Sequence, residues 1–371
     1  MRPLNRSITP LLRAACSGAP AALLFALATL APGCGEATPA PASSADGASS
    51  TEQAAWDACL GPPPRGSRIW HENGPDIVGT HVTGSADRWA VVRTFLLDGM
   101  VSADGTSIHH VRIEKGALIG ALGESTEATE VRGEKWDKAK LKAVLTCADG
   151  STRQLDAQID KAYRDPQKPA EEAWLYKLSF LHAPVAAAPA CEPDGPNGEA
   201  GAMAFTGVYN ARGEQEQKPG AFSFSCAEAA VAKCARLGYA PWATPDAGKP
   251  DLGRDLHAAC TRLVRADYCG NGDAATEKGT PVNLWDGAKV LPRGPSKADA
   301  PFEAAWSSGG AVCMHHPRWK KRAHECSGRA APAGGAKLNE FNLPICKTEA
   351  EAEAIAGPGK ALLFNESSPH E

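Results

Sequence analysis

Between residue 59 and about residue 182, apolar and polar residues alternate with the period of two that β-strands with one buried face require. The segment 109–114 reads His-His-Val-Arg-Ile-Glu, and residues 174–180 place four large side chains at every second position. Turn signals such as Asp149-Gly150 separate the strand-like segments. Short antiparallel strands with frequent turns predict a small sandwich or an open barrel.

Beyond residue 200 the apolar residues adopt helical spacing. Residues 227–237 are strong helix formers, with Ser225 and Glu228 before them in the arrangement of a capping box and Gly238 after them. A second helix is predicted from about residue 253 to residue 265, because its apolar residues recur on one face. The pattern therefore indicates a pair of helices.

Short strands are expected around residues 280–285 and 302–306. We therefore predict an α+β fold, in which an N-terminal antiparallel β domain is followed by a disulfide-rich α+β domain with a helix pair. The predicted segments are a signal peptide (1–33), a flexible tether (34–58), the β-rich domain (59–182), a linker (183–199), the disulfide-rich domain (200–346) and a tail (347–371).

The N-terminus has the features of a secretory signal. Three arginines precede an apolar run at residues 21–30, which is too short to span a bilayer. The sequence Ala-Pro-Gly before Cys34 resembles the lipobox of bacterial lipoproteins, in which the cysteine is acylated and becomes the first residue. A proline and an early leucine depart from the usual form, so cleavage after Ala31 is the alternative.

The number of cysteines favours the lipoprotein. Of the twelve cysteines, Cys16 leaves with the signal and acylation of Cys34 leaves ten. An even number suits an exported protein whose thiols are all oxidised. We therefore expect a membrane-anchored lipoprotein of the bacterial cell envelope, or otherwise a secreted protein. The cysteines expected in disulfides are Cys59, Cys147, Cys191, Cys226, Cys234, Cys260, Cys269, Cys313, Cys326 and Cys346.

The charge of the chain limits its partners. Removing the signal takes away three arginines and no acids, so 36 basic residues remain against 43 acidic ones, a net charge of −7. A mildly acidic protein has no electrostatic basis for binding nucleic acid. No cofactor is expected, since the chain contains no P-loop. The expected partners are a membrane, through the lipid anchor, and a protein or glycan.

The sequence Ala-Asp-Tyr-Cys at residues 266–269 follows the second predicted helix and precedes Gly-Asn-Gly. Phe-Ser-Phe-Ser-Cys at 222–226 and Phe-Glu-Ala-Ala-Trp at 302–306 accompany it. Together these motifs, over about residues 200–326, resemble the ADYC domain, a family of exported, often lipid-anchored proteins of myxobacteria that is named for these four residues. The resemblance implies a compartment and a class of protein but no particular reaction.

Cysteine spacing on the two predicted helices suggests how they are joined. Cys226 and Cys234 are eight residues apart, and Cys260 and Cys269 are nine apart. Antiparallel helices would pair Cys226 with Cys269, and Cys234 with Cys260. Parallel helices would pair Cys226 with Cys260, and Cys234 with Cys269. We favour the antiparallel arrangement, because consecutive elements are usually neighbours.

An extracytoplasmic hydrolase is the main alternative function, with a site near His257, Asp267 and the loop from Gly270 to Asp273. A nucleophilic Cys269 would need a base within hydrogen-bond reach, but His257 lies twelve residues upstream, about 18 Å along a helix. A disulfide is therefore the expected state of Cys269. The chain has no Gly-x-Ser-x-Gly or His-Glu-x-x-His motif.

The residues best suited to a metal are His315, His316 and His324, together with Cys313 and Cys326. Four basic side chains in the same segment repel a cation, and the two cysteines more simply form a disulfide that closes a short loop. We therefore expect no metal site there. A periplasmic metal-binding protein stays a third functional alternative.

Two other polar clusters are weaker metal candidates. His109 and His110 are adjacent in a predicted strand, so their side chains should point to opposite faces and cannot chelate one ion. A further set of oxygen-bearing side chains lacks the spacing of an EF-hand loop. Its members are Asp267, Asn271, Asp273 and Asn283. We therefore expect a binding or structural module rather than an enzyme.

Overall fold

The computed structural model describes residues 77–81, 95–123, 128–146, 151–154, 156–167, 173–181, 191, 201–209, 213–217, 221–277, 279–327 and 337–371. All of these belong to one unit, Gly47–Glu371. The predicted signal peptide and tether lie outside the described residues, as do Cys34, Cys59 and Cys147. Within the described part of the chain, no helix is both long and apolar enough to cross a membrane.

The alternating segments form strands, as the sequence predicts. In one of them Trp174, Tyr176 and Leu178 are buried at every second position. The strands are β1 (Ile77–His81), β2 (Phe95–Val101), β3 (Ser107–Glu114), β4 (Ala117–Leu122), β5 (Thr129–Arg132), β6 (Lys140–Thr146), β7 (Thr152–Gln154), β8 (Ala157–Arg164), β9 (Trp174–Phe180), β10 (Ala202–Thr206), β11 (Val208–Tyr209), β12 (Gln215–Glu216), β13 (Ala221–Cys226), β14 (Asn283–Asp286), β15 (Phe302–Ser307), β16 (Gly310–Met314) and β17 (Leu363–Glu366). The α-helices are α1 (Ala230–Arg236), α2 (Leu252–Arg265) and α3 (Glu349–Ala356).

Eleven strands form one sheet, in the order β5-β4-β3-β2-β1-β13-β10-β9-β8-β6-β7. A further pairing of β2 with β6 closes seven of them into a ring. This ladder runs from Phe95 opposite Leu145 to Val101 opposite Lys140. Within the ring only β1 and β2 are parallel. The strand-rich region is therefore a closed sheet with a filled interior.

The ring takes strands from both sides of residues 183–199, the segment predicted as a linker. β10 and β13 follow that segment, and β13 pairs with all five residues of β1. In the core, Phe224 of β13 packs edge-on against Tyr176 of β9, with ring centroids 5.8 Å apart. Sheet and hydrophobic core thus continue across the predicted linker.

Leu118 attaches β4 to the interior of the ring through its backbone. Its N–H donates to the Tyr176 hydroxyl at 2.7 Å, and its carbonyl accepts from the indole Nε1 of Trp136 at 2.8 Å. Both aromatic side chains are buried, so their polar atoms need partners inside the protein. Gly120 leaves room for this arrangement, because a Cβ there would lie 2.5 Å from Ile108 and 3.2 Å from Trp136.

The C-terminal part of the chain has three layers. A second sheet, in the order β14-β17-β15-β16, has α2 on one side and α3 on the other. Trp306 and Met314 pack with Leu263 of α2, whereas Phe302 packs in a cluster with Ala352 of α3. The described chain is therefore mostly sheet with three helices, which confirms the α+β prediction.

The two predicted helices exist, but one begins later than its sequence signal indicates. Helix α2 spans Leu252–Arg265, close to its predicted bounds. Helix α1 begins only at Ala230, and the residue before it, Ala229, makes no side-chain capping bond. The capping box assigned to Ser225 is wrong, because that residue belongs to β13, where its hydroxyl accepts from the N–H of Ala232 at 3.2 Å.

Four disulfides join elements of the described chain. Cys234 of α1 bonds to Cys260 of α2, which confirms one pairing of the antiparallel arrangement. The companion pairing of Cys226 with Cys269 is wrong. Cys226 ends a strand rather than beginning a helix, and it lies beside residue 202 of β10. The other bonds are Cys191–Cys226, Cys269–Cys326 and Cys313–Cys346. The short loop predicted between Cys313 and Cys326 is therefore not closed by a disulfide.

A buried ion pair connects α1 to the ring. Arg236 Nε lies 2.9 Å from Asp165 Oδ2, and Arg236 Nη2 donates to Asp165 Oδ1 at 3.1 Å. The two side chains are only 4% and 0% exposed. Asp165 follows β8 directly, so this pair fixes the helix against the end of that strand. Such a bidentate pair has a defined geometry as well as an opposite charge.

Replacing Arg236 with Ala should lower the free energy of unfolding by about 3–5 kcal/mol, because the Asp165 carboxylate would stay buried without its cation. Arg112 is the matched control, since its pair with Glu114 is half exposed. Arg112→Ala should cost less than about 1 kcal/mol. Denaturant unfolding of both variants measures the difference, and equal losses would contradict a structural role for the buried pair.

Candidate functional site

The chain leaves helix α2 through a left-handed residue. Helix α2 ends at Arg265, and Ala266 has φ 50° and ψ 42°. The Ala266 side chain is completely buried, so there is no room for a larger residue. A β-branched or bulky residue would also be strained at this positive φ. The conformation of Ala266 therefore sets the direction of the three residues that follow.

Asp267 holds the turn after the helix through its carboxylate. Arg262, one turn back in α2, donates from Nη1 to Oδ2 at 2.6 Å. The backbone N–H groups of Asn271 and Gly272 donate to the two carboxylate oxygens at 3.1 and 3.0 Å. Both charged side chains are at most 1% exposed. A buried carboxylate needs such partners, so Asp267 has a structural role here.

Tyr268 connects the turn to the second sheet. Its ring stacks on Trp306 of β15, with centroids 5.2 Å apart and planes 25° apart. Its hydroxyl donates to Glu303 Oε1 at 2.9 Å and accepts from the backbone N–H of Arg318 at 2.7 Å. Burial and the nearby Glu303 carboxylate raise the pKa of Tyr268 well above its usual value, so the hydroxyl stays protonated. Tyr268 is therefore fixed by both its ring and its hydroxyl.

Glu303 and Arg318 form the charged centre of this contact. Arg318 Nε donates to Glu303 Oε2 at 3.0 Å, and Nη2 donates to Oε1 at 3.1 Å. Burial opposes ionisation of Glu303, but the charge and hydrogen bonds of Arg318 outweigh it and hold the pKa of Glu303 below its ordinary value. Arg318 also donates to the Leu263 carbonyl at 3.0 Å, so one of the last carbonyl groups of α2 has a hydrogen-bond partner.

Cys269 completes the turn as a disulfide partner of Cys326, with Cα atoms 5.1 Å apart. Its expected state is thereby confirmed, although its partner differs from the predicted one. Gly270 follows with φ 70°, and a Cβ there would lie 2.0 Å from the Gly309 carbonyl oxygen. Each residue from Ala266 to Gly270 thus has a packing or bonding reason to be what it is.

His257, a candidate residue of the hydrolase alternative, is buried. Its Nδ1 lies 2.7 Å from the Tyr239 carbonyl, and its Nε2 lies 3.2 Å from the Tyr209 hydroxyl. Burial lowers the pKa of His257 to about 4. The neutral ring therefore donates from Nδ1 to the carbonyl and accepts from the tyrosine at Nε2. This arrangement satisfies both ring nitrogens.

The structure does not bring His257 and Asp267 together in an open site. His257 is 2% exposed and Asp267 is 0% exposed, so neither meets solvent. Each is hydrogen-bonded to a different set of neighbours. Residues of the loop from Gly270 to Asp273 do reach the surface, where Asn271 Nδ2 donates to Asp273 Oδ2 at 2.7 Å. The loop bonds are those of a local turn.

The three candidate metal-binding histidines divide into two places. His315 and His316 are adjacent, with rings 5.5 Å apart, and each Nδ1 lies 3.2 Å from a backbone carbonyl oxygen. His324 lies elsewhere, 3.5 Å from Asp273 Oδ2. The sulfur atoms of Cys313 and Cys326 are bonded in disulfides. Among the described residues, no group of three or more His, Cys, Asp or Glu side chains could hold a metal ion.

The residues of the remaining weak metal candidates either lie apart from one another or depart from regular strand geometry. Asn283 donates to Glu366 Oε2 at 2.8 Å, in contacts that do not include the loop after α2. At His109 and His110 the β3–β4 ladder shifts register, and His110 has φ 52°. The regular alternation expected for these two residues is therefore interrupted, and their ring centroids are 6.4 Å apart.

Sequence reasoning missed the buried charges around the turn. Arg318 is one of the four basic side chains that the sequence places in the segment with His315 and His316, and the structure buries it to 1% exposure. One available signal was Glu303, a carboxylate inside the apolar segment 302–306. A charged residue within a buried strand needs an opposite charge nearby. Nothing local in the sequence identifies Arg318, fifteen residues away, as that partner.

A comparison with known families identifies a domain in this chain. The ADYC domain is the family whose sequence model matches this chain, over residues 137–320. The match includes residues 266–269 and starts within the strand ring, earlier than the segment 200–326 that carries the visible motifs. No curated protein and no solved structure matches the chain.

His257 should make the protein sensitive to mild acid. Its folded pKa, about 4, is below the ordinary value of 6.5, so protonation favours the unfolded state. The contribution of the neutral ring to stability is present above pH 6.5 and is lost as the pH falls toward 4. Lowering the pH from 7 to 4.5 should therefore reduce the free energy of unfolding by about 2–3 kcal/mol through protonation of His257.

The test compares denaturant unfolding at both pH values for the wild type, His257→Gln and His324→Gln. The His257 variant should show a smaller pH-dependent loss, whatever its stability at pH 7. His324, which is 44% exposed, is the control and should keep the wild-type dependence. An unchanged pH dependence in His257→Gln would show that this histidine does not titrate as its burial indicates.

Metal analysis of protein purified without a histidine tag should find no stoichiometric zinc or copper. The physical reason is that both cysteine sulfurs are oxidised and His324 lies apart from the other two histidines. One equivalent of either metal, lost on replacing His315 and His316 with Ala, would contradict this expectation. Replacing His109 and His110 provides the matched control.

Proposed function

Residues 137–320 of this chain match the ADYC domain, and on this premise we propose that the protein is an exported, disulfide-stabilised binding or structural module held at the bacterial cell envelope. An acyl chain on Cys34 would provide the anchor, and the partner of the folded part would be a protein, a glycan or another surface component. The enzyme alternative has no observation in its favour, because both candidate catalytic side chains are closed off from solvent.

The disulfides are the observation that carries this proposal. The four bonds span sequence separations of 35, 26, 57 and 33 residues, so each fixes parts of the chain that are distant in sequence. Closing loops of this length typically stabilises a fold by about 2–4 kcal/mol per bond. Disulfides persist in oxidising compartments and are reduced in the cytosol. A chain that depends on them is therefore suited to the outside of the cytoplasmic membrane.

The arrangement of polar residues favours a stable scaffold. Four buried charged groups, Arg262, Asp267, Glu303 and Arg318, join elements inside the protein. Reactive groups need access to a substrate, whereas a scaffold needs satisfied buried charges. The interior is built for rigidity, so recognition by this protein would take place on its outer surface.

The anchor rests on the sequence before the folded part. Cys34 follows an apolar segment of signal-peptide length, and the tether predicted after it contains no large apolar residue. Acylation would also account for the even number of remaining cysteines. A secreted protein cut after Ala31 is the alternative, and it would carry an unpaired thiol.

Replacing Cys34 with Ala should move the protein from the membrane fraction to the soluble extracytoplasmic fraction, because the acyl chain is attached through that sulfur. Cys16→Ala is the matched control and should stay membrane-bound, since Cys16 leaves with the signal. Fractionation and mass spectrometry of the N-terminal peptide provide the readout. A wild-type protein that is soluble and starts at Pro32 would contradict the anchor.

A further inference from the structure

A group of lysines lies on the outer side of the strand ring. Lys140 and Lys142 of β6 are exposed, and Leu141 between them is buried in the core. Because side chains alternate along a strand, both lysines point away from the interior. Lys140 is opposite Gln158 of β8, which is opposite Ser179 of β9. This register identifies the outer positions on all three strands.

The same outer side contains a directly opposed pair of like charges. Lys161 of β8 is the register partner of Lys177 of β9. Ala162 and Tyr176, the next pair along the ladder, are buried in the core, so the lysine pair is on the outer side. Like charges directly opposite each other destabilise a sheet. The ladder shifts register beside Lys161, whose ammonium lies 5.5 Å from the centroid of the Tyr163 ring, so this part of the outer side concentrates positive charge on an irregular strand.

An exposed leucine adjoins these lysines. Leu181 is 38% exposed, and it is one of three large apolar residues with that degree of exposure in the described chain. Its N–H donates to the Asp156 carbonyl at 2.8 Å, which continues the β8–β9 ladder by one residue. Leu181 is two positions beyond Ser179, so it faces the same side. We name Lys140, Lys142, Lys161, Lys177 and Leu181 the lysine face.

The charge of this face is opposite to that of the mature protein. Four lysines stand on this face near the carboxylates of Asp137, Asp156 and Asp160, so lysines outnumber carboxylates here, whereas the mature chain has a net charge of −7. Asp160 accepts a hydrogen bond from Gln158 at 2.8 Å. A positive area on an acidic protein attracts a negatively charged partner to that one place.

We propose that the lysine face binds the phosphate headgroups of an anionic membrane surface. Lysines around an exposed apolar side chain match a lipid interface, where the ammonium groups meet phosphates and the leucine enters the headgroup boundary. The proposal rests on the proposed function, because an acylated Cys34 would keep the protein at such a surface. If residues 34–58 form the tether that the sequence predicts, a flexible chain of this length would have a root-mean-square span of roughly 25–30 Å, enough for the folded part to reach the membrane.

A sedimentation assay with lipid vesicles tests this inference. The mature chain, which starts at position 34 and carries Cys34→Ala, is mixed with phosphatidylcholine vesicles, with or without phosphatidylglycerol, at low salt. It should bind only vesicles that contain phosphatidylglycerol, and added sodium chloride should release it. Since this chain carries no acyl group, the result does not depend on whether Cys34 is acylated in cells.

Paired variants locate the binding surface. Lys140→Gln with Lys142→Gln should weaken partitioning about 25-fold, or about fivefold for each lysine. Lys347→Gln with Lys360→Gln, two exposed lysines outside the strand ring, is the control and should bind like the parent. All four side chains are exposed, so each variant should unfold at the same denaturant concentration as the parent.

Three results would overturn the proposal. The first is equal binding to vesicles with and without phosphatidylglycerol. The second is an equal loss of binding in both pairs of lysine variants. The third is retention of the parent on an acidic polysaccharide, such as heparin, together with no binding to anionic vesicles, which would assign the face to a glycan.

Discussion

The C-terminal part of this fold depends on one buried carboxylate, that of Asp267. Arg262 and two backbone N–H groups compensate its burial, and together they fix the chain where helix α2 ends. This turn directs Tyr268 onto Trp306 and Cys269 toward Cys326. Without this carboxylate, the buried Arg262 guanidinium would lose one of its partners. The end of α2 would then be less firmly fixed, and both the Tyr268–Trp306 contact and the Cys269–Cys326 bond depend on its position. The residues Ala-Asp-Tyr-Cys at 266–269 therefore have structural roles in this fold.

Local signals were sufficient for some elements. Helix α2 could be bounded from its apolar spacing, and the Cys234–Cys260 bond from cysteine spacing on two neighbouring helices. The same reasoning failed at Cys226, because a strand that continues through Ser225 cannot also begin a helix. Ring closure could not be predicted either. The pairing of β2 with β6 depends on contacts between distant segments, and no local pattern specifies which strands meet.

At the candidate site, the sequence draws attention to residues that the structure buries in structural roles, although catalysis was the alternative that made them candidates. His257 and Asp267 stood out because titratable residues near a glycine-rich loop often form active sites. In the structure their partners are a carbonyl, a tyrosine and an arginine, all inside the protein. Burial decides between the two roles, and burial results from the packing of the whole chain. Glu303 and Arg318 were missed for the same reason.

The pairing of β1 with β13 has a consequence for how such a chain would reach its final form. Ile77 pairs with Ser225, which is 148 positions later in the chain (225 − 77). An exported polypeptide emerges with its N-terminus first, so β1 would leave the translocation channel long before its antiparallel neighbour. Until then the ring is open and its strand edges are unpaired, a state prone to association with other chains. For an exported chain, ring closure would therefore be a late step, and it requires the strand that carries Cys226.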